Sequence, residues 1–193
     1  DRLELRPAAT NCLTCTLDSL STGPDNLVLR ALELFQAQAE PLPPVHVRLV
    51  KRIPLGAGLG GGSADAAAAL RLANRLSGGR CSWDQLREMA AGLGADVPFL
   101  VTGGTALARG RGELLQPVDW GATYIYLLAY PNLHVDTAWA YRELDAQRGP
   151  NVLLTDPGGQ DSLSSLVLRG GCVDPTALRE ALQNDFQAVV ARA

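Results

Sequence analysis

Lysine is nearly missing from this chain of 193 residues: Lys51 is the only one, and arginine supplies the rest of the 17 basic residues. Any chemistry that needs an ammonium therefore has one candidate. Histidine is almost as scarce, with His46 and His134 far apart in the chain. Four cysteines are present, Cys12, Cys15, Cys81 and Cys172, and no second pair or His-x-His joins the lone C-x-x-C at zinc spacing. Metal and redox roles for these thiols are set aside, and they read as free, partly buried groups. No run approaches the roughly 20 apolar residues of a membrane span, and the opening DRLELRPAAT lacks the apolar region of a secretory signal. An excess of basic charge is missing too. A formal net charge of -3 argues against a nucleic-acid partner. The expectation is a soluble, cytoplasmic protein with no membrane or nucleic-acid partner.

What is present is globular in character. Hydrophobic residues make up 47% and charged residues 19%, enough to bury a proper core. The start, RLEL, alternates as a short strand. In DNLVLRALELF, Asp25 or Asn26 can cap a helix whose shared face would carry Leu27, Ala31, Leu34 and Phe35. VHVRLV then points Val45, Val47 and Leu49 one way and His46 and Arg48 the other, a half-buried strand. An alanine-rich helix is expected over Ser63–Leu76, and another opening at Ser82 or Trp83 and closed by glycines. ADVPFLVT and TALARGRGE read as two strands around a Gly-Gly turn, and TYIYLLAY as a buried strand. Asp136 or Thr137 starts a helix, and DPTALREALQNDFQAVVAR is helical. Strands and helices mix without strict alternation, so the fold class is α+β.

Between Pro54 and Ala64 the chain reads PLGAGLGGGSA, and five of the seven positions from Gly56 to Gly62 are glycine. Glycine loses the most freedom on ordering, so such a cluster needs a reason. After a strand and before a helix, it lets backbone N–H groups converge on an anion beside the positive end of the helix dipole. Gly56, Gly58 and Gly61 also satisfy G-x-G-x-x-G, but the acid expected about 20 residues on has no strand to carry it, which disfavours a dehydrogenase. A Walker A loop needs Gly-Lys-Ser/Thr, and no lysine follows these glycines.

The pattern Pro-x-Gly-x-Gly-Leu-Gly, then small residues, then an alanine-rich helix, resembles the phosphate loop of the GHMP kinases. GLGGGS, then Ala64, then Asp65-Ala-Ala, is similar to the branch that phosphorylates the 2-hydroxyl of 4-diphosphocytidyl-2-C-methyl-D-erythritol in non-mevalonate isoprenoid synthesis. The resemblance implies that Pro54, Leu55, Gly56, Ala57, Gly58, Leu59, Gly60, Gly61, Gly62, Ser63 and Ala64 hold ATP. Where that branch usually has a second serine this chain has Ala64, so Ser63 is the local candidate for Mg²⁺. Asp65, in the first helical turn, reads as structural.

A second stretch, GLGADVPF followed by a glycine turn and GRGE, resembles the same branch and implies that Asp96 is the catalytic aspartate. DNLVLRALELF and VKRIPLG extend the likeness. PNLHVDTAWAYREL resembles the segment that faces the cytidine, which implies substrate contacts from Thr137 and Tyr141, with Tyr141 placed to stack on a base. The resemblance further implies two lobes: residues 1–120 with a ribosomal-protein-S5-like arrangement, and residues 121–193, ferredoxin-like. Both are expected to be incomplete. The family's leading Ala-Lys-Ile-Asn-Leu strand, its Gly-Tyr-His segment and its closing glycine motif are not found here, and Lys51 does not match the motif of the family's catalytic lysine. Expected partners are ATP, Mg²⁺ and the cytidine diphosphate-linked methylerythritol, in a monomer or homodimer. Another small-molecule kinase of the same superfamily, or a nucleotide-binding fragment without catalysis, are the alternatives.

Overall fold

The alternation read at Val45–Val50 lies at the centre of a three-stranded sheet. The computed structural model describes residues 1–39, 41–110, 112, 114–118, 125–130, 135–148, 179, 182 and 184–191. Strand β1 (Arg2–Pro7), β2 (Cys12–Cys15) and β3 (Val45–Val50) stand in the order β1-β3-β2. β1 pairs antiparallel with β3, setting Leu3 opposite Leu49 and Leu5 opposite Val47, while β2 runs parallel to β3 with Leu13 opposite Val47. This mixed sheet is not the doubly wound parallel sheet of a dinucleotide fold. As expected, Val45, Val47 and Leu49 are buried while Arg48 is exposed.

Four helices cover the sheet and one another: α1 (Leu27–Gln38), α2 (Gly61–Leu76), α3 (Trp83–Ala91) and α4 (Val97–Thr102). α1 packs on α2, and α2 packs on α4. Ala66, Ala67, Ala69 and Ala73 of α2 are fully buried, and their small side chains let neighbouring helices approach closely. α1 buries Val28, Ala31, Leu32 and Phe35, so its inward stripe lies one residue round from the expected face, and Leu27 and Leu34 sit at its margin. Asn26, not Asp25, is the cap: its Oδ1 accepts from the Val28 N–H at 2.9 Å. Ser82 caps α3 in a reciprocal box with Gln85.

Two expectations fail. Val97–Thr102 is a helix, not a strand. Pro98 lies in its first turn, where the missing N–H costs nothing, whereas a ladder would have needed that donor. Gly103 ends α4 at φ +70°, its N–H donating to the Phe99 carbonyl at 2.7 Å. A two-stranded ribbon follows, β4 (Ala106–Arg109) and β5 (Leu114–Pro117). The apolar run expected to be a buried strand is also different: residues 125–130 form no strand, and Ile125 and Leu127 are fully exposed. An apolar run becomes a strand only against a partner, and none of the described strands pairs with it.

Contacts cluster into two compact units, Asp1–Gln116 and Pro117–Ala193. In the second, α5 (Thr137–Arg148) opens at Asp136, whose Oδ1 accepts from the Trp139 N–H at 2.6 Å. It packs on a short helix, α6 (Gln187–Val190). The rest of the expected helix over DPTALREALQNDFQAVVAR lies largely outside the described residues. Cys12 and Cys15 fall on one strand three residues apart, a rise of about 10 Å that no disulfide spans. Cys12 and Cys15 are free thiols, and Cys172 lies outside the described residues.

Candidate active site

A loop of glycines cannot hold a shape by side-chain packing, so its dihedrals are informative. Gly56, Gly58 and Gly60 all adopt positive φ, between 65° and 69°. Any residue with a side chain is strained in that region, which is why the glycines recur at alternate positions. Gly60 is the N-cap of α2, and no side chain caps this helix. The first intrahelical bond runs from the Ala64 N–H to the Gly60 carbonyl at 2.8 Å. The N–H groups of Gly61, Gly62 and Ser63 thus end a 16-residue helix with its positive dipole end open.

Gly58 and Gly60 line a groove of about 410 Å³ together with Asp96, Phe99, Leu100, Ala106 and Leu115. This groove joins parts of the chain that are about 40 residues apart in sequence, because α4 packs on α2 and carries Asp96 to the glycine loop. Asp96 occupies the N-cap position of α4, yet its φ and ψ of -83° and -20° are helical and its side chain makes no capping bond. The exposed carboxylate therefore remains available to the groove. A smaller cavity of about 180 Å³ borders the same loop, with Leu27, Leu49 and Leu55 among its walls and Asn26 and Asp65 at its polar side.

The sequence-predicted residues divide into two groups. Of the glycine loop, Gly58 and Gly60 meet Asp96 at one groove within the first unit, while Leu55 and Gly62 line the smaller cavity. Thr137 and Tyr141 belong to α5 in the second unit, and the side chain of Thr137 lies outside the described residues. Tyr141 is 54% exposed and meets Phe186 edge to face, with ring centroids 4.9 Å apart.

One cluster escaped sequence reasoning. The side chain of Lys51 is buried, and its Nζ donates to Asp65 Oδ2 at 2.9 Å and to Asp1 Oδ2 at 2.5 Å. Asp1 Oδ1 accepts from the N–H groups of Arg52 at 2.6 Å and Ile53 at 2.8 Å. Burial pushes the Asp65 carboxyl above its usual range, against the opposing pull of the Lys51 ammonium. The signal available in sequence was the solitary lysine at the end of an inward-outward strand; its partner 50 residues away carries no local mark. Asp65 stands in the second turn of α2, not the first as expected, and its carboxylate is buried against Lys51.

Comparison with known proteins agrees with this geometry. Residues 26–104 match the GHMP kinases N-terminal domain. The chain is 39% identical over 196 residues to the 4-diphosphocytidyl-2-C-methyl-D-erythritol kinase of Synechococcus sp. (strain JA-2-3B'a(2-13)), covering 98% of this chain and 62% of that protein. It superposes on a crystal structure of 4-(cytidine 5'-diphospho)-2C-methyl-D-erythritol kinase with a TM-score of 0.65 at 30% identity, covering 98% of this chain and 63% of the other. Homoserine kinase from Cytophaga hutchinsonii shares the fold, with a TM-score of 0.69 at 21% identity over 94% of this chain and 61% of that one. The chain spans less than two thirds of the length of the curated relatives it matches. Among the described residues no helix is long and apolar enough to cross a membrane.

Proposed function

Because the chain belongs to the GHMP kinases, we propose that its glycine loop holds the phosphates of ATP and that the whole protein phosphorylates the 2-hydroxyl of 4-diphosphocytidyl-2-C-methyl-D-erythritol. The observation that carries this reading is the meeting of Gly58, Gly60 and Asp96 at one groove. Relatives named for that activity, at 39% and 44% identity, support the substrate.

The uncapped first turn of α2 supplies N–H donors and a positive dipole end for the triphosphate. The apolar walls of the smaller cavity beside the loop offer the cover that a nucleotide base needs. Asp96, across the groove from no competing cap, accepts the proton of the substrate hydroxyl as its oxygen bonds to the γ-phosphorus and the bond to the β-phosphate oxygen breaks. The acceptor oxygen is tertiary, so holding it in line matters more than the basicity of the carboxylate. Mg²⁺, when bound, supplies charge to neutralise phosphate oxygens. The Ser63 hydroxyl would suit it, since this ion takes only one or two protein oxygens beside phosphates and water. Thr137 and Tyr141 are proposed to contact the cytidine.

The test is ATP consumption by the whole protein that depends on the diphosphocytidyl substrate. Asp96→Asn is expected to lower turnover by about a hundredfold to ten-thousandfold with the fold intact. Near-normal turnover of that variant removes Asp96 from the chemistry.

A further inference from the structure

The buried ammonium of Lys51 joins the two ends of the glycine loop. On the entry side, Asp1 binds Lys51 and also the N–H groups of Arg52 and Ile53, the last residues before Pro54. On the exit side, Asp65 projects from the first turns of α2 and takes another Lys51 proton. Between them lie the three positive-φ glycines, whose freedom makes an ordered loop costly. The ammonium also lies directly under the start of the helix: a Cβ built on Gly61 would stand 2.9 Å from Lys51 Nζ.

The charge of the cluster says how it can act. One ammonium between two carboxylates has no positive charge left over for a phosphate, so its effect on an anion must pass through geometry. Both carboxylates are also 5% exposed or less, so the bonds are not diluted by water. We propose that Lys51, with Asp1 and Asp65, is a positioning residue that clamps the glycine loop in the shape that receives a triphosphate. This deepens the reading of the loop as a phosphate cradle and rests on it.

The experiment compares the chain with its Lys51→Met variant, using ATP and inorganic tripolyphosphate as probes in calorimetry and amide hydrogen exchange over residues 55–62. Relative to the unaltered chain, the variant is expected to gain more exchange in the loop than in α1 or α3, and to bind both probes at least about tenfold more weakly. A core variant of matched stability, Phe35→Leu, is expected to keep its affinity, which separates positioning from a general loss of stability. Unchanged loop exchange in Lys51→Met, or an equal affinity loss in Phe35→Leu, overturns the clamp. Should Lys51→Met fail to fold, Asp65→Asn retains an oxygen facing Lys51 and Asp65→Ala does not. The proposal requires the second to bind tripolyphosphate more weakly than the first, and equal affinities overturn it. If the unaltered chain binds neither probe, the phosphate reading falls, while loop exchange still decides the clamp.

Discussion

Gly61 and Gly62 are neighbours in one helix, identical in type and neither at positive φ, yet alanine should have opposite effects at the two positions. At Gly61 a Cβ would lie 2.8 Å from Ile53 Cγ2, 2.9 Å from Lys51 Nζ and 3.1 Å from Ile53 Cβ. Carbon atoms prefer separations of about 3.5–4.0 Å, so the new methyl needs roughly 0.6 Å or more of clearance on each side. Neither neighbour gives way easily. Ile53 is β-branched with a stiff χ1, and the Lys51 ammonium is tethered to both Asp1 and Asp65. Overpacking of this kind costs about 1–3 kcal/mol. At Gly62 the Cβ would meet only Leu27 Cδ1, at an ordinary 3.8 Å. There the helix propensity of alanine acts alone and stabilises by up to about 1 kcal/mol. The two variants should therefore differ by about 2–4 kcal/mol in equilibrium urea unfolding followed by far-UV circular dichroism. With a urea slope of about 1–3 kcal/mol per molar, their midpoints separate by roughly 1 M or more. A Gly61→Ala midpoint equal to or above that of Gly62→Ala would refute the reasoning, because it would mean that Lys51 and Ile53 yield without cost.

Asp65 provides a second prediction through pH. Its folded carboxyl is raised above the unfolded value of 3.8, so the folded state holds the proton more tightly there. The contribution of Asp65 to stability therefore falls as pH rises through the window from 3.8 up to the raised folded value, and it recovers on acidification. Since Asp65→Asn does not titrate, the stability of the unaltered chain relative to this variant should improve as pH is lowered from neutral towards 3.8, read from urea midpoints at each pH; a slope of the opposite sign contradicts the assignment. At the start of α1, Asn26→Ala should cost about 1–2 kcal/mol, because the buried side chain accepts from Val28 and donates to the Ser21 carbonyl. Asp25→Ala, on an exposed neighbour, should stay within about 0.5 kcal/mol, and thermal midpoints that rank the two in reverse would discredit the cap.

The parts of this molecule legible in its sequence are those decided within a few residues. Alternation placed Val45, Val47 and Leu49 inward, and the start of α3 was legible to within one residue, at Ser82 or Trp83. The glycine loop was legible because positive φ is a demand of the backbone itself. What failed depended on distant partners. The composition of Val97–Thr102 suggests a strand, and packing against α2 and α3 made it a helix whose start delivers Asp96. Residues 125–130 have the composition of a buried strand but no described strand beside them. The Lys51 cluster depends on a pairing across 50 residues with Asp1, which no periodicity records.

Within the first unit, the helix starts divide by whether they border the groove. α1 is capped by Asn26, α3 by Ser82 with Gln85, and α5 by Asp136. The two helices that begin at the groove, α2 and α4, have no side-chain cap, and neither does the short α6 of the second unit. Each missing cap forgoes about 1 kcal/mol. At α4 the omission is not for want of a suitable residue, since aspartate is among the best caps and Asp96 occupies the position. Its helical backbone angles instead keep the carboxylate from turning back onto its own helix. At α2 the cap position is a left-handed glycine with nothing to offer the N–H groups. A serine there would satisfy a donor that a phosphate could otherwise take, and a capping conformation at Asp96 would occupy the carboxylate proposed to take the proton of the substrate hydroxyl. The groove thus leaves donors open on one side and an acceptor open on the other, the complementary pair that phosphoryl transfer to an alcohol requires.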